Sequence, residues 1–119
     1  MKPHINMISL FIGLCIILIA GDLKAEIRVR NFDQMKNTEY FKAHIEGVGQ
    51  GFTIANAYLE VEKKRPLFCT PGKLILGADN YIQLIDATMK NDKYKNKIDL
   101  DTPIVIILFW GLQDTFPCK

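Results

Sequence analysis

The sequence predicts an all-α protein: a small, disulfide-closed domain of three to four helices behind an N-terminal signal peptide. Three observations predict it. Apolar residues recur at spacings of three and four across residues 38–61 and 78–90, a short apolar run stands at the N-terminus, and two cysteines, Cys69 and Cys118, remain beyond that run.

At the N-terminus, Lys2 supplies a positive start and Ile8 to Ala20 form an apolar run of the length found in export leaders. A spanning helix wants about 20 apolar residues, so this run is short for an anchor, which is the alternative reading. Cleavage after Ala25 fits best, with Ala20 as a second small residue. Residues 1–25 are therefore read as signal peptide and 26–119 as the exported, periplasmic domain, with no stable membrane anchor after cleavage. Cys15 departs with the leader, and Leu14 before it is not the small residue a lipoprotein signal needs. The remaining chain, about 94 residues, is near the lower end of domains that fold alone. Cys69 and Cys118 are then an even pair in an oxidising compartment, which predicts a disulfide. Closing a loop of about 50 residues stabilises by about 4 kcal/mol. A pair of buried free thiols is the alternative.

The elements follow in order. Residues 26–36 read as a polar lead-in with a short helical turn around Phe32 and Met35. Asn37 or Thr38 can cap the main helix, with Glu39 in its first turn, and the helix is expected to reach Val61. Phe41, Ile45, Val48, Phe52, Ala55 and Leu59 make its core stripe. Beside it runs a second strip, Tyr40, His44, Gly47, Gly51, Ile54 and Tyr58. Gly47, Gly49 and Gly51 together cost a helix about 3 kcal/mol, which predicts a compensating close approach at Gly47 and Gly51. A phosphate loop would instead need a strand before the glycines and a helix after them. Pro66 ends helical continuity, Leu67 to Cys69 return to the core, and Thr70, Pro71 and Gly72 turn. A second helix spans about Ala78 to Lys90. Asp92 to Asp101 reads as an exposed loop. Thr102 and Pro103 are expected to launch a last helix, Ile104 to Thr115, whose β-branched start also fits a buried strand; apolar residues on all its sides make it central.

Composition narrows the function. The chain carries +2 overall and +1 once Lys2, Asp22 and Lys24 are set aside with the leader, too little for the clustered basic face that nucleic acid requires. Beyond residue 25, His44 is the one histidine and no serine remains, so no catalytic residue, metal site or cofactor is predicted. A binding or structural role is left.

From Phe41 to Cys118 the chain resembles the Rap/Tai family of type VI secretion amidase immunity proteins. The resemblance is carried by Ile45-Glu46-Gly47-Val48-Gly49-Gln50-Gly51, then Ala55-Asn56-Ala57, Pro66-Leu67-Phe68-Cys69-Thr70-Pro71, Asp101-Thr102-Pro103, Gly111-Leu112 and the ending Phe116-Pro117-Cys118. It implies a periplasmic helical protein that binds and blocks a peptidoglycan amidase, an internal Cys69–Cys118 disulfide, and homodimers. Gly111 stands where an alanine is often found, which implies a looser last helix.

Two surfaces are therefore candidates. The 92–101 loop, with Lys93, Lys95 and Lys97 around Tyr94, is the longest polar stretch between apolar helices and is expected to contact the amidase, with the charged 60–65 segment as the fallback. Tyr40, Gly47, Gly51 and Tyr58 are expected to pack internally or form a homodimer contact. An exported structural or adaptor protein with no toxin partner is the alternative function.

Overall fold

In the computed structural model, which describes residues 26–119, four α-helices follow one another: α1 Val29–Met35, α2 Glu39–Val61, α3 Ala78–Met89 and α4 Ile104–Thr115, with one turn of 3-10 helix at Asp92–Tyr94. The expected signal peptide, the expected cleavage after Ala25 and Cys15 lie outside the described residues. Among the described residues there is no strand, only an isolated bridge between Arg28 and Pro103.

The main helix begins where expected. Thr38 Oγ1 accepts the Phe41 amide at 3.2 Å, satisfying one of the donors that every helix start leaves free. The last helix also matches its predicted bounds: its β-branched start is helical because the apolar character continues round every side through Leu112, and both α3 and the N-terminal segment cover it. Ile104, Ile107, Leu108 and Leu112 of α4 meet Ile85 of α3 and Phe41 and Ile45 of α2 in one core, with Phe32 of α1 edge-on to Phe41 at 5.7 Å.

The helical turn expected around Phe32 and Met35 is present and extends over Val29–Met35: α1 buries Phe32, and the segment before it docks onto the start of α4. Ile27 carbonyl accepts the Ile104 amide at 3.0 Å, Val29 and Arg30 amides donate to Thr102 and Leu100 carbonyls, and Arg28 and Arg30 both reach Asp101. Thr102 does not cap α4, because its hydroxyl oxygen accepts the Asp99 amide while its proton goes to the Asp99 carboxylate; the first amide of the helix is taken by the Ile27 carbonyl instead. The close approaches are also displaced. A Cβ at Gly47 or Gly51 would meet nothing within 4 Å. At Gly49 it would collide with the buried Tyr81 ring, and at Gly111 with Thr88 Oγ1. Gly111 thus tightens the α3–α4 contact where a looser helix was expected.

Cys69 and Cys118 are bonded, as predicted. The Cys69 amide also donates to Phe116 carbonyl at 2.7 Å, so the end of α4 and the return from α2 are joined twice at one corner.

Candidate functional site

The 92–101 loop folds back on the domain. Asn91 side chain accepts the Lys93 amide and starts the 3-10 turn, which swings Tyr94 inward until it is 4% exposed. Its ring stacks on Trp110 at 4.9 Å, 5° from parallel, and its hydroxyl donates to Asp114 at 2.8 Å. Lys93 donates to the other oxygen of Asp114 at 2.6 Å and, with Lys97, covers the outer face of the Tyr94 ring. Burial raises the Tyr94 phenol, and the Asp114 bond adds to that. Tyr94 is therefore a fixed part of the fold and cannot be the projecting anchor expected of it. Lys95 and Lys97 remain exposed, while Lys93 is committed to Asp114.

The second candidate lies on the outside of α2. Tyr40 and Tyr58 are 61% and 62% exposed, and Gly47 and Gly51 are open, so the strip is not packed internally. His44 is half-buried beside Tyr40, with the rings near parallel at 6.4 Å. The core stripe took only the other side of α2, so this helix covers less of its circumference than its apolar pattern predicts.

A third feature escaped the sequence reading. Between α2 and the strap of residues 70–76 lies a cleft of about 420 Å³. Its floor is Phe68, Tyr81 of α3 and Leu112 of α4, all buried. One wall is α2 through Glu46, Gln50, Thr53 and Ile54; the other is the strap through Thr70, Leu74 and Ile75. Ile54 is 69% exposed and Ile75 91%, placing bulky apolar side chains at the mouth. Burial, and secondarily the Glu46 carboxylate, raise the Tyr81 phenol. The strap is held at both ends: Asn56 of α2 accepts the Leu67 amide and donates to Phe68 carbonyl at 2.7 and 2.8 Å, and Asn80 accepts the Gly77 amide. The signal that could have found this cleft was Leu74-Ile75-Leu76, three apolar residues after the Gly72 turn that serve no helix stripe.

Among the described residues no three His, Cys, Asp or Glu side chains gather as a metal site, and no helix is long and apolar enough to cross a membrane. Compared with known protein families, curated proteins and solved structures, the chain matches none of them.

Proposed function

We propose that this is an exported binding protein that inhibits a peptidoglycan amidase by occluding its active-site cleft, in the manner of the Rap/Tai immunity proteins it resembles. The structural support is the ring of exposed apolar side chains, Ile54, Leu74 and Ile75, around a cleft fixed at both ends by asparagines. Exposed apolar groups grouped on a rigid frame mark an interaction surface more than scattered ones do. The disulfide is consistent with export to an oxidising compartment. Titrating the protein into an amidase encoded beside it is the test. The expected result is loss of peptidoglycan hydrolysis that ends at a fixed stoichiometry, weakened at least about tenfold by Ile75→Asp, a change of hot-spot size, with the unfolding midpoint kept. Binding without inhibition would favour the adaptor role, and no binding would remove the amidase reading.

The partner assignment includes a second copy of the chain. The exposed strip of α2 is symmetric about residue 49: Tyr40 mirrors Tyr58, His44 mirrors Ile54 and Gly47 mirrors Gly51. An antiparallel pair of α2 helices on a two-fold axis would set each residue against its mirror, as a self-complementary interface requires, and the open glycines let the backbones come close. Gly51→Leu should convert the dimer to monomer in sedimentation while the helical signal stays; a dimer that survives it would place any contact elsewhere.

A further inference from the structure

We infer that the cleft between α2 and the 70–76 strap receives an extended segment of a partner protein, with a lysine or arginine at the Glu46 end and an apolar side chain toward Ile54 and Phe68. The inference deepens the binding role proposed above by assigning the chemistry of what is bound. It rests on charge, length and unused backbone.

Glu46 is the only charged residue lining the cleft. No ion pair among the described residues involves it, and Lys42, one turn earlier on α2, is turned away to Asp79 at 3.7 Å. The carboxylate therefore stands free at one end of an otherwise uncharged trough, where a cation is the complementary partner. From Glu46 to Ile54 the α2 wall extends about 12 Å at the helical rise. That length accommodates an extended segment of three or four residues at about 3.3 Å each. Volume agrees, since about 420 Å³ falls inside the range of clefts that hold a compact ligand.

The opposite wall explains why a peptide fits better than a compact small molecule. Ile75 and Leu76 belong to no helix or strand, and no hydrogen bond among the described residues uses their main-chain groups. Both residues line one side of the trough with these groups unpaired, and unpaired main-chain groups are what hold an extended peptide through its backbone while pockets read its side chains. Thr53, Gln50 and Thr70 add polar side chains at the same level. The apolar floor, Phe68 and Tyr81, supplies the pocket.

The test uses isotope-labelled, disulfide-intact protein and two capped peptides, acetyl-Lys-Leu-Val-amide and acetyl-Glu-Leu-Val-amide, followed by amide chemical shifts. The lysine peptide should move the amides of Gln50, Thr53, Thr70 and Ile75 and bind about fivefold more tightly than the glutamate peptide, the size expected of one exposed ion pair. Glu46→Lys, at an exposed position, should reverse that preference. Equal shifts with both peptides, shifts on another face, or none up to the solubility limit would overturn the inference. The amidase reading fails separately: peptides that bind while no amidase is captured leave the cleft assignment standing. An amidase captured equally by Glu46→Lys, with no peptide bound, removes the cleft assignment alone.

Discussion

Gly47, Gly49 and Gly51 lie within little more than one turn of α2, yet their surroundings differ completely, and single substitutions expose the difference. Gly47→Ala and Gly51→Ala add a methyl to open space and remove backbone freedom from the unfolded chain, so each should stabilise by about 0.5–1 kcal/mol. Gly49→Ala gains the same helical preference but drives its Cβ into the Tyr81 ring, which is buried between α2 and α3; overpacking of that kind costs about 1–3 kcal/mol and wins. Urea unfolding at dilute concentration, where association does not contribute, should give opposite signs for the two sets. Asp114 offers a second test at this scale. Hydrogen bonding from Lys93 holds its carboxyl below the ordinary value of 3.8, with Tyr94 assisting against the burial that raises it. The group is thus more acidic folded than unfolded, so its stabilisation is fully present above the ordinary value and lost as pH falls through the lower folded one. Asp114→Asn should flatten the acid limb of the stability curve, leaving the part due to Asp99, whose carboxyl is held down by Thr102 and the Asp101 amide.

Elements here are positioned by side chains reaching across to backbone. Asn56 sits on α2, half-buried, and serves the Leu67 amide and the Phe68 carbonyl together, a substitute for the strand partner that the returning segment lacks. Asn56→Ala leaves both groups without their bond, at a cost of about 1–3 kcal/mol. Because that segment anchors one end of the strap, exchange of the amides near Leu67 should accelerate more than those of α4, which would distinguish local release from global loss. Tyr94 plays the matching role for the 92–101 loop. Tyr94→Ala removes its stack on Trp110 and its bond to Asp114, so it should lower the unfolding midpoint, the opposite of what an exposed interface residue would do.

For the whole molecule the disulfide is the main covalent constraint among the described residues. It spans 49 positions, from the return after α2 to the end of α4, and encloses α3 and α4. Loop-closure entropy in the unfolded chain assigns it about 4 kcal/mol, a large share of what a domain this small has available. The paired replacement Cys69→Ser with Cys118→Ser should therefore shift the urea midpoint strongly while the folded protein stays helical, since Ile45, Ile85, Ile107 and Leu108 still meet in the core. Circular dichroism at low denaturant checks the second half of that expectation.

The sequence by itself determined the helical class, the bounds of α2 and α4, the stop after α3 and the identity of the bonded cysteines. Each of these follows from neighbours along the chain or from a count: a 3.6-residue apolar period, a capping threonine, an even pair of thiols. Tertiary structure decided which faces were used. Helical periodicity showed two apolar strips on α2 and could not say that α3 would cover only the side bearing Gly49, leaving Tyr40 and Tyr58 in solvent. Polar composition marked 92–101 as exposed, but Tyr94 found Trp110 and Asp114, which lie 16 and 20 positions away, and no local pattern encodes that encounter. The cleft is the clearest case: its walls come from α2 and the strap and its floor from α3 and α4, so it exists only once four separated stretches have packed.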